Sequence, residues 1–280
     1  MKRLQWWLIG IAGVLLIGIG GVLWQYSDTD TVRVRFLDVG QGDAILVSQG
    51  TNQILIDGGR DPKVLLSQLG RALPFWDRDI EAVILTHPDE DHIGGFLGLK
   101  DRYRVGRWLT TGATTDTATW QRLSEQIQPV MEVRKDTTIT LGKDETLTLL
   151  WPLIGVALDV KDTNASSIVA RLDLGGKKTF LLTGDLPSKQ ELEVAVKPTE
   201  VLKAGHHGSK YSTSDEWLDR VQPQDAILSV GAQNRYGHPA ADTLERLAAH
   251  HAIIYRTDRQ GTITYTCQQN EERCQVLTER

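Results

Sequence analysis

Cysteine is scarce in this chain: Cys267 and Cys274 are the whole complement. No further thiol is available to complete a structural zinc site of the usual ligand sets. The two flank Gln268-Gln269-Asn270-Glu271-Glu272-Arg273, a spacing that suits a disulfide across the turn of a terminal hairpin and hence an oxidising compartment, with a pair of free thiols as the alternative. Basic charge is also short. With 31 Lys and Arg against 36 Asp and Glu, the net charge of -5 argues against nucleic-acid binding by global electrostatics. A metal cluster and a local basic patch could still hold a phosphodiester. No internal repeat has a solenoid period and no tract is of low complexity, so repeat architectures are set aside. At 40% hydrophobic and 24% charged residues the chain is globular, long enough for one large or two small domains.

Long apolar runs are lacking too, except at the amino terminus. Lys2 and Arg3 precede an uncharged run over residues 6–24. As a helix it is about 29 Å long, just enough to cross the hydrocarbon core of a bilayer. Trp6, Trp7, Trp24 and Tyr26 sit at its two ends, where amphipathic rings favour the headgroup region, and the cationic end should stay cytoplasmic. A cleaved signal peptide is the alternative, but no clear small-x-small cleavage site follows the core. The reading is a single-pass membrane anchor over 1–27 and an extracytoplasmic globular domain over 28–280.

What is abundant is chemistry in one stretch, Thr86-His87-Pro88-Asp89-Glu90-Asp91-His92-Ile93-Gly94-Gly95. It follows the apolar run Ala82-Val83-Ile84-Leu85, which reads as a buried strand. Carboxylates so close cannot all stay ionised and desolvated without a compensating cation, and His with Asp is a ligand set that Zn or Mn accepts. A solvated acidic turn is the bland alternative. Two later stretches repeat the pattern. Thr179-Phe180-Leu181-Leu182-Thr183 leads into Gly184-Asp185, whose carboxylate could bridge two metals. Val201-Leu202-Lys203-Ala204 leads into Gly205-His206-His207-Gly208. Earlier, Gln53-Ile54-Leu55-Ile56 ends at Asp57-Gly58-Gly59, where an aspartate is well placed to orient a neighbouring ligand loop. In Asp38-Val39-Gly40-Gln41-Gly42-Asp43 the glycines fit a turn after the strand over 32–37, which reads as edge or half-buried, but a turn alone leaves the two aspartates unexplained. Helices are expected over 63–73 and from near Asp116, and a hairpin over 137–141 and 146–150. Trp120 and Trp151 are taken as core residues.

His87-x-Asp89-x-Asp91-His92 resembles the signature loop of metallo-β-lactamase-fold hydrolases, with Asp89 where most members carry a second His. With Phe36-Leu37-Asp38-Val39-Gly40-Gln41-Gly42-Asp43-Ala44 and Asn234-Arg235-Tyr236-Gly237-His238-Pro239 it resembles the hydrolase domain of the ComEC family of DNA-uptake competence proteins. The resemblance, over about residues 32–266, implies an α/β fold, the four-layer αββα sandwich. It implies two divalent ions, Zn or Mn: His87 and Asp89 on one, Asp91, His92 and His207 on the other, Asp185 between them, and Asp57 in support. Two such ions lower the pKa of a bridging water and clamp the charge on a five-coordinate phosphorus. Asp91 would also take the proton from that water, and His206 would protonate the leaving group. The roles of His206 and His207 stay open to exchange.

Asn164 stands where many members place a ligating His, which leaves one metal a protein ligand short and makes Asn164 and Ser166 hydrogen-bond donors to phosphate. His238 lines the site or caps the helix after Ala240. The function implied is a metal-dependent phosphodiesterase or nuclease acting on extracellular DNA. With one anchor and no polytopic channel, it would work beside a separate DNA-uptake channel protein. Hydrolysis of another ester or amide (a cell-wall phosphorylcholine ester, a lactone or a β-lactam) and a non-catalytic binding module are the competing readings.

Overall fold

The computed structural model describes Trp7, residues 10–14, Gly20 and residues 29–280 other than 156, 157, 159–161, 269, 270 and 272. Twelve of the nineteen residues of the run over 6–24, and the anchor boundary at 27, lie outside these residues. Among the described residues no helix is long and apolar enough to cross a membrane.

Alternating and fully apolar runs pair into two sheets. The first contains β1 (Thr31–Phe36), β2 (Ile45–Gln49), β3 (Asn52–Ile56), β4 (Asp79–Leu85), β5 (Arg104–Thr110) and β6 (Val130–Glu132), joined by the last hairpin, β14 (Ile263–Gln268) and β15 (Gln275–Thr278). Its order is β15-β14-β1-β2-β3-β4-β5-β6. Of the two readings of β1, edge or half-buried, the structure has the second: β14 and β2 pair with it on both sides, which rules out an edge, and its alternate Val32, Val34 and Phe36 face a covered core while Arg33 and Arg35 stay partly exposed. The second sheet holds β7 (Thr138–Thr140), β8 (Glu145–Trp151), β9 (Val169–Leu174), β10 (Thr179–Leu182), β11 (Val201–Lys203), β12 (Asp225–Leu228) and β13 (Ile253–Arg256), in the order β13-β12-β11-β10-β9-β8-β7. The expected hairpin is β7 paired antiparallel with β8.

Inward faces of the two sheets meet in one apolar layer that includes Phe36, Ile45, Ile84, Leu147, Leu172, Phe180, Ile227 and Tyr265. Helices close both outer faces. Over the first sheet lies α1 (Pro62–Ala72), started by Asp61, whose carboxylate accepts from the Lys63 amide, and by Pro62 in its first turn. Its Leu65 and Leu69 pack with Phe96, Leu99 and Trp108. On the same face lies α3 (Ala118–Ser124), preceded in the chain by the short α2 (Glu90–Ile93). Over the second sheet lie α4 (Asp215–Val221), with Trp217 and Leu218 buried, and α5 (Ala241–Ala249). The result is four layers, αββα.

Direction positions the site. β3, β4, β5 and β6 are parallel in the first sheet, as are β10, β11, β12 and β13 in the second. The loops leaving β3, β4, β10 and β11 carry the Asp and His residues singled out above. Trp151 is buried and donates its indole N–H to the Ala165 carbonyl at 2.9 Å, as a core residue must.

Candidate metal centre

Each imidazole in the centre is held by one nitrogen. Asp57, at the end of β3, accepts from the Thr86 amide (2.9 Å) and hydroxyl (2.6 Å), and the oxygen that takes the hydroxyl bond also accepts from His92 Nδ1 at 2.8 Å. The Thr86 hydroxyl spends its only proton on Asp57, so towards His87 Nδ1, 3.0 Å away, it can only accept. The Ser229 carbonyl likewise accepts from His207 Nδ1 at 2.9 Å. These partners fix the rings so that Nε2 of His87, His92 and His207 point inward. Among the described residues none of these three buried Nε2 atoms finds a hydrogen-bond partner of good geometry, although those of His92 and His207 face Asp185 Oδ2 at 3.3 Å. An imidazole oriented through Nδ1 with an orphaned Nε2 is the arrangement of a metal ligand.

Around these nitrogens the carboxylates converge. One ligand atom each from Asp43, His92, Asp185 and His207 lies within 4.8 Å of the others, and all four residues are buried. Asp185 Oδ2 is central, 3.3 Å from Nε2 of both His92 and His207, 3.7 Å from His206 Nε2 and 4.0 Å from His87 Nε2. Oδ1 of Asp185 and of Asp43 are buried and accept no hydrogen bond among the described residues. The donor set, neutral imidazole with carboxylate oxygen, fits a divalent transition metal. A second subsite would draw on His87 and Asp89, whose carboxylate stands 3.8 Å from His87 Nε2.

The electrostatics of the cluster's own side chains follow from its packing. Burial disfavours the imidazolium of His92 and of His207, yet the Asp185 carboxylate outweighs it and holds both pKa values well above the ordinary range. Burial would raise Asp185, but His207 and His92 hold it well below the usual carboxylate value. His87 goes the other way, lowered by burial and by the charge of His92. A buried ammonium completes the set: Lys203 Nζ is 2.6 Å from Asp43 Oδ2 and 3.9 Å from Asp185 Oδ1.

The structure brings together His87, His92, Asp185 and His207, with Asp57 behind them. Asp91 is placed beside them, its carboxylate 3.4 Å from His207 Nε2. Asp89 is half exposed and accepts from the Thr163 hydroxyl at 2.5 Å. Asn164 and Ser166 follow on the 3-10 turn Thr163–Ser166, and Asn164 Oδ1 and Ser166 Oγ are buried with no hydrogen-bond partner among the described residues. His207 is inside the cluster and His206 on its open side. His238 packs on the His206 ring at 5.5 Å, and no side chain caps α5.

Three residues escaped the sequence reading. Asp43 reaches the cluster because Gly42 allows its loop against the ligand loop: a Cβ at Gly42 would lie 2.0 Å from the Asp91 carbonyl oxygen. The unexplained aspartates of the glycine turn were its signal. For Lys203 the signal was a charge at the end of an apolar strand. Ser167, which receives the Asp185 amide (3.1 Å) and lies 3.3 Å from His87 Nδ1, had none.

A family model described as the metallo-beta-lactamase superfamily matches residues 37–232. The chain is 35% identical over 258 residues to "ComE operon protein 3" of Bacillus subtilis, covering 83% of this chain and 33% of that protein. It is 30% identical over 271 residues to "Competence protein ComA" of Neisseria gonorrhoeae, covering 91% of this chain and 35% of that one. The chain thus spans about a third of the length of these curated relatives. Among solved structures, the metallo-beta-lactamase fold protein YhfI from Bacillus subtilis superposes with a TM-score of 0.55 at 13% identity, over 84% of this chain and 100% of that one, a likeness of fold alone.

Proposed function

Since the chain belongs to the metallo-beta-lactamase superfamily, whose members are generally metal-dependent hydrolases, we propose that it is a metal-dependent phosphodiesterase acting on DNA. The observation that carries the reading is the ring of three orphaned Nε2 atoms around the Asp185 carboxylate. The competence-protein relatives support DNA as the polymer.

Asp91, His92 and His207, with Asp43 beside them, would hold one divalent ion, Zn or Mn; His87 and Asp89 would hold a second, and Asp185 would serve both. Such ions supply an activated water and offset charge on the phosphoryl oxygens. The chain's own groups divide the remaining work. Asp57, Thr86 and Ser229 keep the imidazoles in the ligating tautomer. Asp91, whose carboxylate lies 3.4 Å from His207 Nε2, also receives the proton of the attacking water. His206, partly exposed on the open side and next to Asp185, gives a proton to the leaving oxygen. Asn164 and Ser166 donate hydrogen bonds to the phosphate, and His238 lines the same side.

The apolar run over 6–24 is proposed as a single-pass anchor with the hydrolase domain outside the cytoplasm and a separate channel protein as partner. Six residues, 25–30, separate that run from β1. They reach at most about 20 Å. β1 starts at the end of the first sheet where β3 and β4 also start, opposite the metal centre. The bilayer would then lie on the side away from the site, leaving its mouth open to a polymer.

The test is hydrolysis of bis(p-nitrophenyl) phosphate and single-stranded DNA by the full chain, stripped of metal and refilled with Mn or Zn. Cleavage restored by metal and abolished by Asp185→Ala is expected. Inactivity on both substrates with metal bound, or turnover of a lactam, a lactone or a phosphorylcholine ester in their place, would overturn the reading.

A further inference from the structure

Beside the metal centre, the loop after β12 is closed by one side chain. Asn234 Nδ2 donates to the carbonyls of Gly231 (2.8 Å) and His238 (2.7 Å), and its Oδ1 accepts from the amides of Tyr236 (3.2 Å) and His238 (3.0 Å). The loop therefore has a fixed shape without any ligand. It sets the rings of Tyr236 and His238 face to face, 5.9 Å between centroids and 14° between planes. His238 in turn meets His206 edge-on at 5.5 Å, and His206 Nε2 is 3.7 Å from Asp185 Oδ2. Rings thus run without a break from the surface to the metal centre.

Tyr236 ends that series with 58% of its surface exposed, so burial does not explain it. Its hydroxyl accepts from Arg60 Nη2 at 3.3 Å, and Arg60 Nη1 pairs with Glu90 of the ligand loop at 3.5 Å. Arg60 follows β3 of the first sheet and Tyr236 follows β12 of the second, so the pair spans the mouth of the site from both sides.

We propose that Tyr236 and Arg60 form a nucleotide subsite next to the reacting phosphate, with the base stacked on the Tyr236 ring and the guanidinium on the neighbouring phosphate. The proposal rests on the phosphodiesterase reading and narrows its substrate to single-stranded nucleic acid. In a duplex the bases are stacked on each other, so a ring at the surface can take only an unpaired one. The chain's net charge of -5 gives it no global attraction for a polyanion, so a base stacked on Tyr236 has to supply the larger part of the subsite's affinity, with the Glu90-paired Arg60 as its local cation.

The experiment measures binding by fluorescence anisotropy, and cleavage, for a labelled oligothymidylate, a duplex of the same length and a base-free (abasic) oligonucleotide. The proteins are the full chain and its Tyr236→Ala, Tyr236→Phe and Arg60→Ala variants, with Phe75→Ala, an exposed aromatic outside the site, as control. Oligothymidylate should bind about 5- to 150-fold tighter than the abasic strand, the range one stacked base gives. Tyr236→Ala should erase that preference, Tyr236→Phe should keep it, and Arg60→Ala should weaken both strands alike. No preference in the parent protein, a preference that survives Tyr236→Ala, equal affinity for duplex, or a phosphocholine ester bound through Tyr236 more tightly than the oligonucleotide would each overturn the subsite. Absence of cleavage with metal bound would instead strike the phosphodiesterase reading, and the anisotropy comparison still decides the subsite.

Discussion

Lys203 Nζ stands 2.6 Å from Asp43 Oδ2, with both side chains buried, and donates to the Gly184 carbonyl at 3.2 Å. Burial alone would raise the Asp43 carboxyl, but the Lys203 charge leads the groups that hold it down at about 2. The folded value lies below the ordinary 3.8, so the pair's contribution is complete above that pH and is lost as pH falls through about 2. Lys203→Met removes the leading cation beside buried Asp43 and leaves the compensation to the more distant imidazoles of His207 and His92. It should cost about 3–5 kcal/mol in guanidinium unfolding of the metal-free protein at neutral pH. The cost should shrink on acidification, because protonating Asp43 then relieves the variant while it weakens the parent. A cost below about 1 kcal/mol, the worth of an exposed pair, would count against the assignment.

Metal binding should release protons. In the metal-free protein burial works against the imidazolium forms of His92 and His207, but Asp185 holds their pKa values well above the ordinary range. At neutral pH both rings therefore carry the proton on Nε2 that an incoming ion must displace. Affinity should fall by about tenfold per pH unit for each such proton as pH is lowered below those values. Titration calorimetry in buffers of different ionisation enthalpy reads the count directly, and a binding heat independent of buffer would refute the protonated state.

Much of this centre was legible because each ligand loop follows an apolar strand: Ile56 before Asp57, Leu85 before the His87 loop, Leu182 before Asp185 and Lys203 before the histidine pair. Parallel strands within each sheet then deliver those loops to one end, which is why a one-dimensional pattern could stand for a three-dimensional cluster. Asp43 was not assigned because its approach depends on a loop contact about 50 residues apart in sequence, against Asp91, which no local periodicity encodes. The left-handed backbone of Asp57, His206 and His207 (φ 56°, 50° and 56°) was equally invisible. Non-glycine residues there are held by their surroundings, and here the surroundings are the centre itself.

Gly42→Ala tests the loop contact. The residue sits at φ +125°, and an added Cβ would lie 2.0 Å from the Asp91 carbonyl oxygen, too close unless the two loops part. Overpacking of this kind costs about 1–3 kcal/mol. Parting the loops also withdraws Asp43 from His207, now 3.4 Å apart, so the variant should lose metal affinity as well as thermal stability. Retained stability and unchanged metal binding, followed by thermal shift with and without Mn or Zn, would show that the contact is not needed.

Cys267 and Cys274 are joined as a disulfide across the β14–β15 connection. The closed loop is short, a sequence separation of 7, so the loop-entropy estimate for its removal is about 2 kcal/mol. Position predicts more than magnitude. Cys267 pairs in register with Val32 near the start of β1, whereas the metal centre lies beyond the other end of that strand. A strand of this length separates the two by about 20 Å. Cys267→Ser with Cys274→Ser should therefore lower the unfolding free energy while leaving metal affinity of the folded protein within about twofold, since sites so far apart with no shared partners are nearly additive. Loss of metal binding in the folded variant would mean that β14 transmits strain along β1 to the Asp43 loop, and the two ends of the sheet could no longer be treated as independent.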